Sequence, residues 1–154
     1  MNINDVAKAL KKNRYEVSVF ESKEMATEYL TTIFNNEIIW FGDSETMVQM
    51  ELKKKLSVNN TVFDPKDEKN NDEFLKIAKK CLTTDIFMTS VNGLTEDGVI
   101  VNIDGTGNRV AGSLYGHKKV YYIVGKNKIA SDIEAAIWRA RNIAAPKNSA
   151  RLGL

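Results

Sequence analysis

Short, nearly unbroken apolar runs set between segments of helical period constrain this chain more than any other feature. Ile38-Ile39-Trp40-Phe41 and Asp85-Ile86-Phe87-Met88-Thr89 lack polar alternation along their apolar residues, the pattern of strands buried on both faces of a sheet. Thr61-Val62-Phe63 and Val120 to Val124 read as further strands of this kind. The intervening segments are amphipathic. Val6, Ala7 and Leu10 mark a helix ending near Asn13, and Ser22 caps one whose inward face carries Met25, Tyr29 and Phe34. Gly42-Asp43-Ser44 opens a helix reaching about Leu56, with Ser44 as N-cap. Asp72 to Leu82 turns Phe74, Leu75, Ala78 and Cys81 inward. Tyr15 to Phe20 alternates as a strand. Ser131-Asp132-Ile133-Glu134 is a capping box for a last helix, which Pro146 follows. Strand–helix alternation predicts an α/β fold: three layers, with a mainly parallel Rossmann-like sheet and helices on both faces. Asn92 to Thr95 and Val99 to Ile103 flank Glu96-Asp97-Gly98, which predicts a β-hairpin insertion near residues 92–103.

The totals narrow the function classes. A chain of 154 residues predicts a single domain, 1–154. Lys and Arg number 22 against 20 Asp and Glu, without the concentrated basic surface of a nucleic-acid binder. Lys53-Lys54-Lys55 is the nearest thing to a patch and reads as a solvated helix face. One cysteine, Cys81, and one histidine, His117, rule out an intrachain disulfide and the usual Cys/His metal site. No metal and no cofactor are expected. Cys81 reads as a small buried hydrophobe and His117 as a surface residue in a turn. The N-terminus lacks an apolar signal core and no run reaches membrane-spanning length, so no membrane partner is expected and a reducing cytoplasm is the expected location.

Candidate chemistry concentrates in Thr89 to Gly112, which holds five of the nine glycines. Within it, Asp104-Gly105-Thr106-Gly107-Asn108-Arg109 separates a strand-like run from a small-residue run able to open a helix. Glycines let backbone approach a ligand, and successive N–H groups at a helix start favour anions. Arg109 adds a forked, permanently charged partner for phosphate or carboxylate. The candidate ligand-binding residues are therefore Asn92, Thr95, Gly105, Thr106, Gly107, Asn108 and Arg109. Glu96 and Asp104 are the candidate catalytic carboxylates, as general base or nucleophile. The competing reading is local: Asp97 serves the turn with Gly98, Asp104 caps the loop, and Arg109 pairs with Asp104 or Glu96. Gly105-x-Gly107 is no dinucleotide fingerprint, since position 110 is Val110, and no G-x-x-x-x-G-K-[ST] occurs. In open parallel sheets ligands gather beyond the carboxyl ends of strands where strand order reverses. Both Gly42-Asp43-Ser44 and the segment after Thr89 follow strands.

From Thr89 onward the chain resembles the LUD domain of the lactate utilization protein family. The resemblance is carried by Thr89-Ser90-Val91-Asn92, Leu94-Thr95-Glu96-Asp97-Gly98, Asn102-Ile103-Asp104-Gly105-Thr106-Gly107-Asn108-Arg109-Val110-Ala111 and Val124-Gly125-Lys126-Asn127-Lys128. The closing Asn142-Ile143-Ala144-Ala145-Pro146-Lys147-Asn148-Ser149-Ala150-Arg151-Leu152 also fits. It implies fold kinship with the sugar-phosphate isomerase and CoA-transferase superfamily, and a role linked to oxidation of L-lactate. The partners it implies are a small anionic metabolite and an iron–sulfur or redox protein, with a homo-oligomer compatible. Relatives of this type continue into a cysteine-bearing tail and another strand, so the resemblance also implies that this C-terminal extension is lacking. The expected function is an accessory or metabolite-binding LUD protein. An isomerase-like or acyl-transferase-like enzyme and a metabolite sensor with regulatory output are the alternatives.

Overall fold

The computed structural model describes residues 2–153. In chain order the elements begin with α1 (Ile3–Lys12), α2 (Lys23–Ile33), β1 (Ile38–Phe41), α3 (Glu45–Gln49), α4 (Leu52–Leu56) and β2 (Thr61–Phe63). A 3-10 turn (Pro65–Asp67), α5 (Asn71–Cys81), β3 (Ile86–Thr89), β4 (Gly93–Thr95), β5 (Ile100–Val101) and α6 (Asn108–Leu114) follow. The chain then forms β6 (Lys119–Tyr122), β7 (Ile129–Ala130), α7 (Ile133–Arg139), a π-helical turn (Ala140–Ala144) and α8 (Ala145–Leu152). These elements fall into two compact units. One draws on Phe20–Ser90 and Asp104–Ile123, the other on Met1–Val19, Val91–Ile103 and Val124–Leu154.

The first unit is an α/β sandwich around a wholly parallel sheet of order β2-β1-β3-β6. Side chains of successive strand residues point to opposite faces, and here both faces are covered. Ile39 and Phe41 of β1 and Ile86 and Met88 of β3 pack with Leu30, Met47, Leu52 and Leu56. Trp40 and Phe87 point the other way, beside Cys81 of α5. Their rings stack with centroids 3.9 Å apart. Unbroken apolar runs therefore mark the central strands, because alternation disappears once each face has its own helical layer. Val120 to Val124 departs from this: β6 is an edge strand, half-buried at best, since it has a partner on one side only.

The expected helix from Ser44 to Leu56 is two helices, broken where Glu51 takes a left-handed φ of 52°. On one continuous helix Met47 and Leu52, five residues apart, would point in directions about 140° apart. The break lets Met47, Leu52 and Leu56 all reach the core. Ser44 occupies the N-cap position of α3 but its side chain makes no capping bond. Ser22 does cap α2, its Oγ accepting from Met25 N at 3.2 Å, yet Met25 and Tyr29 are exposed and Thr27 and Leu30 form the buried face. Leu75 of α5 is likewise exposed, while Ala78 and Cys81 face inward.

The second unit holds a small sheet of order β5-β4-β7, with β4 antiparallel to β5 and parallel to β7. Gly98, in the turn between β4 and β5, has a φ of 87°, a conformation open to glycine. Thr95 is fully buried. Its hydroxyl accepts from Val99 N at 2.8 Å and donates to the Asp97 carboxylate, closing that turn. Tyr15 to Phe20 joins no sheet among the described residues, and Tyr15 and Val19 are exposed. The last capping residue is Asp132, not Ser131: Asp132 Oδ1 accepts from Ala135 N at 2.8 Å, and Ser131 Oγ donates to Asp132 Oδ2 at 2.7 Å. Pro146 does not end the final helix but lies in the first turn of α8. Proline has no N–H to give an α-helical ladder, and the wider π turn immediately before it carries the chain past the missing donor.

Candidate functional site

In the order β2-β1-β3-β6 the connection from β1 runs to one side and later strands add on the other. Strand order therefore reverses between β1 and β3, and the carboxyl ends of these two strands border the crevice where such sheets bind ligands. Gly42 follows β1 directly and is locked to β3, its N–H donating to Met88 O at 2.8 Å. A Cβ on Gly42 would fall 2.6 Å from Phe87 Cε2 and 3.0 Å from Thr89 Oγ1, so the Phe87 ring and the Thr89 hydroxyl occupy the space that a side chain would need.

Asp43 and Arg109 meet at this edge. Arg109 donates through one terminal nitrogen to the Asp43 carbonyl at 3.0 Å. Its Nε and other terminal nitrogen reach Asp104 Oδ1 at 3.1 and 2.7 Å. Asp104 Oδ2 accepts from the backbone N–H groups of Arg109 at 2.8 Å and Val110 at 3.3 Å. One carboxylate thus fixes the guanidinium and closes the start of α6, and its side chain is only 5% exposed. Of the five N–H donors of a guanidinium, two remain after these bonds, on a side chain that is 25% exposed. The Asp43 carboxylate, 12% exposed, holds Lys66 Nζ at 2.5 Å. Asp43 and Lys66 were not among the candidate residues. The available signal for Asp43 was its place directly after a buried strand.

The glycine loop leaves open space. Beyond the adjoining residues, no atom of the described residues lies within 4 Å of a Cβ built on Gly105 or Gly107, and Gly107 has a φ of 87°. Thr106, Gly107 and Asn108 border a depression of about 320 Å³ shared with Leu75 and Ala78 of α5 and with Leu82 just after it. At the opposite, amino-terminal ends of β3 and β6, His117 is half-buried rather than a surface residue. Its Nδ1 donates to Thr84 O at 2.7 Å, its ring leans on Trp40 and Phe87, and its buried Nε2 has no hydrogen-bond partner among the described residues. Burial pushes the Cys81 thiol up to about 12, which leaves it protonated and inert near neutral pH.

The remaining candidates belong to the second unit. Asn92 and Asn102 brace the β4–β5 pair, with Asn92 Oδ1 accepting from Ile103 N at 2.7 Å and Asn102 Oδ1 from Asn92 N at 3.1 Å. Glu96 is exposed, and its backbone N–H donates to Ala130 O at 3.0 Å. The structure thus divides the predicted set, with Asp104 to Arg109 in one unit and Asn92, Thr95 and Glu96 in the other. Sequence proximity suggested one cluster, whereas the chain passes from one unit to the other between Ile103 and Asp104.

The second unit also carries an unusual lysine. Burial, and secondarily the positive charge of Arg139, push Lys128 down to about 8 from an ordinary 10.5. Between those values the unfolded chain binds a proton at this residue that the folded chain does not, so stability rises with pH across the window. Lys128→Met is expected to flatten that rise, as measured by urea midpoints of both proteins through the window. Parallel curves would show that Lys128 titrates normally.

Among the described residues no helix is long and apolar enough to cross a membrane. No curated protein and no solved structure matches the chain. The LUD domain model matches residues 3–154, covering both units and the Asp104–Arg109 loop, and the chain belongs to the LUD domain family.

Proposed function

We propose that the protein is an accessory, metabolite-binding member of the lactate-utilization type, and that it holds a small anionic metabolite at the Asp104–Arg109 loop. The observation that carries this reading is the fixed guanidinium of Arg109. Asp104 and the Asp43 carbonyl orient it at the switch-point edge and leave two donors unspent. A pre-oriented fork loses little freedom on meeting a carboxylate or phosphate. The open space over Gly105 and Gly107 supports the same reading, since Gly105 has no intramolecular neighbour that requires glycine. Asp104 acts here as a positioning residue, with both oxygens engaged. An iron–sulfur or redox protein is the partner that fits a role beside L-lactate oxidation.

The test is calorimetric titration of the full chain with inorganic phosphate and L-lactate. Arg109→Met should weaken the better-bound anion by roughly 10- to 100-fold, the value of a charged hydrogen bond. Gly105→Ala should leave the melting temperature unchanged or slightly raised while lowering affinity. Equal anion affinity in Arg109→Met and the unmodified chain would remove the loop from the binding site.

A further inference from the structure

Helix α7 of the second unit turns its small residues inward and its large ones outward. Ala136 and Ala140 are fully buried, and the helix lies so close on β4 that a Cβ on Gly93 would fall 2.9 Å from Ala136 O. Ile133, Ile137 and Trp138 are exposed, Trp138 at 59%. A helix that packs on one sheet ordinarily gives that sheet its apolar stripe. Here the largest apolar side chains are left for a second contact, and tryptophan is among the side chains that dominate such contacts.

The charges around this stripe indicate the partner. Glu134, Ile137, Trp138 and Arg141 follow one another at i, i+3, i+4 and i+7, so they share one helix face, and all four are exposed. Arg141 lies in the π-helical turn that continues α7. Glu134 and Arg141 flank the apolar pair, and neither charge enters an ion pair among the described residues. A two-fold axis passing between positions 137 and 138 of two antiparallel copies sets Glu134 opposite Arg141 of the second copy, and Arg141 opposite its Glu134. Ile137 then meets Trp138 of the second copy at the centre. Ile133 meets Asn142, whose amide is turned back on its own helix, Nδ2 donating to Trp138 O at 2.8 Å. The face is thus complementary to its own reverse, the requirement of an isologous contact. Parallel helices would set like charge on like charge.

We propose that the outer face of α7 docks a second copy of this chain, the two helices running antiparallel and crossing at Ile137 and Trp138. Burial of these side chains supplies the attraction, and the two Glu134–Arg141 pairs at the rim fix direction and register. The inference does not rest on the anion reading, whose residues belong to the other unit.

The experiment is sedimentation equilibrium of the full chain over a range of concentrations. The average mass should rise with concentration toward twice that of one chain. Trp138 is exposed whereas Trp40 is fully buried, so tryptophan emission should move to the blue in step as the Trp138 indole leaves water. Trp138→Ala should weaken the association by roughly 30-fold or more, as for a hot-spot side chain lost from both copies. Glu134→Arg and Arg141→Glu should each keep the fold by circular dichroism, since both positions are exposed, and each should be monomeric alone. Mixed in equal amounts the two variants should associate, because every charge then meets its opposite across the interface. A chain that stays monomeric at every concentration overturns the proposal, as does association that Trp138→Ala leaves unchanged. Two folded charge variants that stay apart when mixed would overturn it too.

Discussion

Asp104→Ala is expected to destabilise the protein by about 3–5 kcal/mol, the cost of removing one member of a buried ion pair. The carboxylate is 5% exposed and accepts four hydrogen bonds: two from the Arg109 side chain and two from backbone N–H groups at the start of α6. Its loss strands a half-buried guanidinium and uncaps a helix together. For a chain of this length the melting temperature should fall by roughly 10 °C. The urea midpoint should fall with an unchanged slope, since the folded core stays the same size. Asp104→Asn keeps an oxygen for the helix amides but turns a neutral amide toward Arg109, so an intermediate loss is expected. A loss below ~1 kcal/mol in the alanine variant would mean that Arg109 finds another partner and that the loop is not held as described.

Gly112→Ala should be comparably harmful, although it adds one methyl group. A Cβ there would lie 2.2 Å from Trp40 Cζ3, 2.9 Å from Cη2 and 3.1 Å from His117 Nε2. Trp40 cannot withdraw, because it is fully buried and stacked on Phe87. Interiors are packed at crystal density, and forcing one further group into them costs about 1–3 kcal/mol or more. The upper end is expected here, with a change in tryptophan fluorescence as the indole shifts. Gly105→Ala is the matched control, since nothing lies within 4 Å of its added methyl. Equal stability of these two alanine variants would show that α6 moves freely on the sheet.

Much of the fold was legible in the residues. Ile38 to Phe41 and Ile86 to Thr89 are the central strands because a strand covered on both faces must be apolar throughout. The turn chemistry at Gly98 and the helix ending at Asn13 were readable for similar local reasons. Directions within helices were less legible. Met25, Tyr29 and Leu75 are apolar and helically spaced but exposed. A hydrophobic side chain does not state which of two possible faces the sheet will cover.

The candidate site divides along the same line. Local sequence determined that Asp104 to Arg109 forms a glycine loop opening a helix, since Gly107 supplies the left-handed φ and Asp104 lies within reach of the amides that follow. It also determined family membership, which rests on ordered runs of residues rather than on packing. Only the tertiary structure decided that Arg109 meets the carbonyl of Asp43, 66 positions away, and that the Ser44 hydroxyl is buried without a hydrogen-bond partner among the described residues. It alone assigned Asn92, Thr95 and Glu96 to a different unit from the loop that follows them. Those outcomes depend on which strands become neighbours, and neighbourhood in a parallel sheet is set by long crossovers whose partners lie far apart in the chain.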